Sequence, residues 1–189
     1  MPKAARAAHE RSPESEAFAE AAGSESDADP VEVAKQIVLN QISVSAKSRH
    51  QLAQVLARRA VPDSAAEQAL DRFTELGYID DQAFARAWVD SRQRTRGLAA
   101  PALRRELRDK GIDADIIDEA MLTCVDGDAE RVTAGELVEK KLRAMRSGTR
   151  SVDRDTATRR LVSMLARKGY NSSVAYSVVR ERLDSADQT

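Results

Sequence analysis

The stretch Leu103-Arg104-Arg105-Glu106-Leu107-Arg108-Asp109-Lys110-Gly111-Ile112 sets two leucines four residues apart and then stops at a glycine. Leucines at i and i+4 share one helix face, and glycine enters the left-handed conformation that ends a helix without steric cost. The stretch therefore reads as an amphipathic helix with its terminator. The pattern recurs on both sides, as Leu52, Leu56 and Arg59-Ala60-Val61 before it and as Leu161, Leu165 and Lys168-Gly169-Tyr170 after it. In each copy a second apolar pair follows: Ala69-Leu70, Ala120-Met121 and Val178-Val179. Offsets of about 51 and 109 residues from the first copy lie in the range where self-similarity marks a repeat architecture.

Working outward, Asp29-Pro30 places a cap ahead of a proline at the first helical position, and Val31, Ala34, Ile37, Val38 and Ile42 follow at helical spacing. Ser48 can cap a helix through about Arg59, and Pro62-Asp63 opens another that Gly77 stops. Asp80-Asp81 sets two carboxylates at the positive end of the next helix, whose stripe is Phe84, Ala87, Trp88 and Ser91. Helices follow over about 99–110, 113–124, 128–146 and 155–168, the seventh using Val132, Leu137, Val138 and Leu142, and a last one ends by Leu183. No strand is legible. The chain is predicted to be all-α, three tandem three-helix repeats forming an elongated, curved modular rod. The divisions are a disordered acidic tail at 1–28, repeats at 29–79, 80–126 and 127–184, and a disordered C-terminus at 185–189.

Hydrophobic residues make up 42% of the chain but aromatics only 4%, which suits helix packing on Leu, Val, Ile and Ala. Thirty basic and 31 acidic side chains nearly cancel, but not evenly along the chain. Residues 1–30 hold three basic and seven acidic side chains, leaving 27 basic and 24 acidic in residues 31–189. The lone Cys124 cannot form an internal disulfide, and no Cys/His cluster has metal-site spacing. No apolar run approaches the roughly 20 residues of a membrane span, and no secretory signal is visible. A reducing, cytoplasmic setting is expected, with no membrane, metal or cofactor.

Catalysis finds no support: His9 and His50 lack a Ser, Cys or Asp partner, and Asp80-Asp81 read as helix caps rather than as an acid pair. The chain is expected not to be an enzyme. The cations say more. Arg92, Arg94, Arg96, Arg104, Arg105, Arg108 and Lys110 stand against only Glu106 and Asp109. Arg143, Arg146, Arg159, Arg160, Arg167 and Lys168 belong to a second basic stretch in the third repeat. Because Leu103 and Leu107 face inward, Arg104, Arg105 and Arg108 project from another side of their helix. Stacked repeats would align such patches into a track for an anionic partner. Arginine pairs with phosphate and carboxylate alike, so the track leaves protein and nucleic acid both open. Periodicity assigns Phe84 and Trp88 to the core; Tyr78 and Tyr170 could be core or could stack on bases.

Gly77-Tyr78-Ile79-Asp80-Asp81, then Phe84-Ala85 and Trp88, Arg92, Arg96-Gly97, and Arg105-Glu106-Leu107 with Lys110-Gly111-Ile112 resemble the RecX family, bacterial regulators of the RecA recombinase. The resemblance covers about residues 30–184 and departs at Ala60, which stands where the other copies have Gly111 and Gly169, and at Gln51, which precedes Leu52 where the middle repeat has Glu106. It makes Gly77, Ile79, Asp80, Asp81, Phe84, Ala85, Trp88, Leu107 and Gly111 a structural signature. It implies a monomeric, elongated protein that binds the RecA filament on single-stranded DNA and inhibits strand exchange, ATP hydrolysis and co-protease activity, with direct DNA contact as a second element. The alternative is a free-standing DNA-binding protein, since a three-helix unit with a short turn is also how helix-turn-helix modules are built.

Overall fold

Capping side chains set the helix starts. Asp29 accepts from the Val31 amide, Ser48 and Gln51 form a reciprocal capping box, Asp80 accepts from Ala83 N, and Asp153 accepts from Thr156 N. The computed structural model describes residues 29–147 and 153–187. Among them the helices are α1 Pro30–Val44, α2 Arg49–Arg58, α3 Asp63–Glu75, α4 Asp81–Arg96, α5 Ala100–Asp109, α6 Ala114–Cys124, α7 Gly127–Arg146, α8 Arg154–Arg167 and α9 Ser172–Asp187. No strand occurs among the described residues.

Extensive helix packing is confined to three triplets: α1 with α2 and α3, α4 with α5 and α6, and α7 with α8 and α9. Each triplet has its own core. The first is centred on Leu52, Leu56 and Leu70, the second on Leu103 and Leu107, and the third on Leu161, Leu165 and Val179. The leucine pairs of the repeat are thus the fully buried centres of three small modules.

Several details differ from the sequence reading. The inner face of α4 is Phe84, Ala85 and Val89; Ala87 is exposed and Trp88 sits at the edge, because Arg92 and Lys110 cover its ring from outside. Val132 is exposed, since α7 turns Ala134, Val138 and Leu142 inward instead. The last helix continues past Leu183 to Asp187, so residues 185–187 are helical rather than part of a disordered end. The tail at 1–28 lies outside the described residues.

The modules meet through the same joint used twice. In the first joint, Ser48 Oγ donates to Lys110 O (2.6 Å) and the Asp81 carboxylate accepts from the Arg49 amide (2.9 Å). In the second, Ala99 N donates to Lys168 O (2.9 Å) and the Glu130 carboxylate lies beside the Ala100 amide, which pulls its pKa down. Each time, a turn carbonyl of the following module accepts from the residue that precedes the second helix of the preceding one, and a carboxylate of the following module faces the start of that helix. That N-terminus otherwise presents unpaired amides, and α5 has no side-chain cap of its own.

The joint explains the departure at Ala60. All three repeat turns have positive φ, 57° at Ala60, 72° at Gly111 and 93° at Gly169. Gly111 and Gly169 also lie against the preceding module: a Cβ at Gly111 would overlap the His50 ring, and one at Gly169 would come within 2.7 Å of Ala102 Cβ and N. Among the described residues no module packs on the first turn from the preceding side, so Ala60 meets the φ requirement there, and alanine is tolerated at a cost of about 1–2 kcal/mol.

Candidate functional site: the cationic surface

Arginines of the repeat helices reach the surface because the leucines beside them are committed to the cores. The structure divides these cations by what they meet. Arg92 Nε and Arg96 Nη1 both bind Glu106, at 3.0 and 3.1 Å, and Trp88 Nε1 donates to the same carboxylate at 3.0 Å. The Arg92 guanidinium lies 3.9 Å from the Trp88 ring centroid and the Lys110 ammonium 4.6 Å, so this group braces the second module internally. Arg94 pairs with Asp90 at 2.6 Å, and Arg104 pairs with Asp118 across to α6.

Lys168 donates to Arg96 O within the second joint, where burial, then Arg96 and Lys140, hold its pKa below the usual lysine range. Arg146 donates to Ala186 O at 2.8 Å. None of Arg105, Arg108, Arg143 and Arg160 meets a carboxylate among the described residues. Arg159 and Arg167 are held only by hydroxyls, Thr156 Oγ1 at 3.2 Å and Ser163 Oγ at 2.7 Å.

These cations do not share one register. With Leu103 set against Leu161, Arg104, Arg105 and Arg108 correspond to Val162, Ser163 and Ala166, while Arg159, Arg160 and Arg167 correspond to Pro101, Ala102 and Asp109. Only Lys110 and Lys168 coincide, and both belong to joints. In the third module the cations also divide by side. Arg143 and Arg146 border a cavity toward α9 with Glu139 and Arg182, whereas Arg159, Arg160 and Arg167 line a groove of about 760 Å³ between α7 and α8. Lys141, which the sequence reading left out of the track, completes that groove, and no carboxylate is among its lining residues.

Among the signature residues, Ile79, Phe84, Ala85 and Leu107 are core, Asp80 is the α4 cap, and Asp81 and Gly111 form the first joint. Gly77 ends α3 with φ 74°. Tyr170 is buried, its hydroxyl donating to Gly97 O at 3.2 Å, while Tyr78 is exposed beside Phe73. Cys124 is partly covered. Ser48 is the expected cap, but its contact with the second module, the His50 packing under Gly111, the three donors on Glu106 and the place of Glu130 in the second joint were not foreseen; the visible signal was the Gly/Ala contrast among the three turns.

Both joint carboxylates have pKa values raised above the ordinary range, chiefly by desolvation, with their amide partners pulling the other way. Burial, together with the Glu130 charge, pushes the Tyr170 hydroxyl up to about 12. A carboxyl group with a raised folded-state pKa contributes stability below its unfolded value that is lost as pH rises through the folded one. Glu130→Gln keeps the shape of the side chain without the half-buried charge. Its melting temperature should equal or exceed that of the parent at neutral pH, with the gap closing on acidification below the carboxylate range.

The comparisons with known proteins agree with this architecture. Residues 34–73 match the first three-helix domain of RecX and residues 80–121 the second. The regulatory protein RecX of Streptomyces coelicolor (strain ATCC BAA-471 / A3(2) / M145) is 50% identical over 156 residues, covering 82% of this chain and 80% of that protein. The regulatory protein RecX of Thermobifida fusca (strain YX) is 44% identical over 155 residues, 80% of each chain. The crystal structure of RecX from Lactobacillus salivarius superposes with a TM-score of 0.69 over 82% of this chain and 97% of that one; at 18% identity it speaks to the fold alone. No helix among the described residues is long and apolar enough to cross a membrane.

Proposed function

The chain belongs to the RecX family of regulatory proteins, and from that premise we propose that it binds the RecA filament on single-stranded DNA as a cytoplasmic monomer and inhibits its recombinase, ATPase and co-protease activities. The observation that carries this reading is a set of modules fixed by repeated joints and bearing, on two successive modules, cations with no acidic partner among the described residues, Arg105 and Arg108 on the second and Arg159 and Arg160 on the third. Such an array matches a partner that is itself repetitive. Each module adds a weak contact, and fixed spacing turns these into avidity. Lying in the helical groove, the array would exclude a second DNA strand and protein substrates. This role is one of binding, with no catalytic step.

The experiment compares affinity for RecA-coated and bare single-stranded DNA across a salt series. Binding to coated strands should be tighter by roughly 100-fold or more, an avidity gain in the range expected for linked sites. A free-standing DNA-binding protein would instead bind both alike and, neutralising roughly six phosphates of a single strand, show a log-log salt slope near −4 on bare DNA. That result would overturn the filament reading.

A further inference from the structure

The α7–α8 groove gathers open charge in one place. Many arginines meet carboxylates, Arg49 with Glu67 and Asp71, Arg92 and Arg96 with Glu106, Arg104 with Asp118, and Arg105, Arg108 and Arg143, which meet none among the described residues, do not line this groove. In the groove, Lys141, Arg159, Arg160 and Arg167 converge with no carboxylate among the described lining residues, and hydroxyls orient two of the guanidinium groups without cancelling their charge. Met145 and Met164 also line it, packed at the edge of the third core. Thioether side chains adapt to irregular shapes and make favourable contacts with aromatic rings. The groove therefore suits a carboxylate-rich segment that carries an aromatic anchor.

The chain itself contains such a segment. Residues 10–28 hold Glu10, Glu14, Glu16, Glu20, Glu25 and Asp27 against Arg11 alone, with Phe18 between the central glutamates. Between residue 20 and Pro30 the chain can extend up to about 35 Å. Attachment to the same chain raises the local concentration of such a segment wherever its tether spans the distance. We propose that residues 10–20 occupy the α7–α8 groove, with the residues between them and Pro30 as the tether, and compete there with external polyanions, so that the chain restrains its own cationic surface. The regulatory consequence rests on the filament reading of that surface; the contact itself stands or falls without RecA.

The test compares amide NMR spectra of the full chain with those of a chain lacking residues 1–28, whose three cores are complete. Signals of residues 141–145 and 156–167 should differ between the two. The difference should disappear in the full chain carrying Arg159→Glu and Arg160→Glu, at two exposed positions. In parallel, truncation should tighten binding of a fluorescein-labelled 20-residue oligothymidylate by roughly tenfold at low salt, the loss of a tethered competitor. Superimposable spectra, differences centred on Arg105 and Arg108, or unchanged oligonucleotide affinity would each overturn the proposal. Because neither arm contains RecA, a negative result here leaves the filament reading intact, and failure of filament binding leaves this contact intact.

Discussion

Gly169→Ala is expected to lower stability by about 2–4 kcal/mol, the largest effect of any single methyl group in the molecule. An alanine there would hold a φ of 93°, and its Cβ would stand 2.7 Å from Ala102 Cβ and from the Ala102 backbone nitrogen. Left-handed backbone costs about 1–2 kcal/mol and overpacking about 1–3 kcal/mol, offset by roughly 0.4–1 kcal/mol from a less flexible unfolded chain. The neighbour is partly main chain, so the strain cannot be shed by a rotamer change, and Ala99 N–Lys168 O and Tyr170 Oη–Gly97 O should loosen with it. Circular dichroism should show an early transition for the third module, while fluorescence of Trp88, the sole tryptophan and a resident of the second, melts later. The same change at Gly111 meets a His50 side chain that can rotate away and should cost less. Ala60→Gly relieves strain where no described module docks and should be neutral or stabilising by up to about 1 kcal/mol. Equal stability of Gly169→Ala and the parent would show that the turn does not dock.

How far the sequence could be read follows from which interactions are local. Pro30, Ser48, Asp80 and Gly97 act within a few residues of themselves, and their caps and stops fall where expected. The leucine pairs locate the cores because burial of one helix face follows from spacing alone. Trp88 and Val132 were harder: whether a residue at the edge of a stripe is covered depends on what crosses it, Arg92 and Lys110 in one case and solvent in the other.

The joints were not legible, since Ser48 and Lys110 lie 62 residues apart and nothing near Ser48 announces its partner. The exception at Ala60 was visible from the start, but its meaning required knowing that the other two turns press on a preceding helix. For the cationic surface, net sign could be read from composition but compensation could not. The charges of Arg92, Arg96 and Arg104 are offset by Glu106 and Asp118 through packing between helices, and those of Arg159 and Arg160 meet no carboxylate among the described residues. Alignment of the α5 and α8 cations by repeat register, part of the basis for expecting a continuous track, holds only at Lys110 and Lys168.

The second large effect concerns function. Replacing Arg105, Arg108, Arg159 and Arg160 together by glutamate should raise the concentration needed for half-inhibition of RecA by at least about tenfold, or ~1.4 kcal/mol of binding. All four are exposed, and no acidic partner would be left buried and unpaired, so helical content and melting temperature should hold within roughly 0.5 kcal/mol per site. Arg104 is left out deliberately, because a glutamate there would face Asp118 and confound binding with stability. The direct measurement is RecA ATP hydrolysis on single-stranded DNA, titrated with the parent chain and with this four-site variant. The parent should suppress hydrolysis at less than one molecule per RecA protomer while the variant, still folded, requires at least about tenfold more. Equal suppression by both would remove the cationic surface from the mechanism, and no suppression by the parent would contradict the filament reading itself.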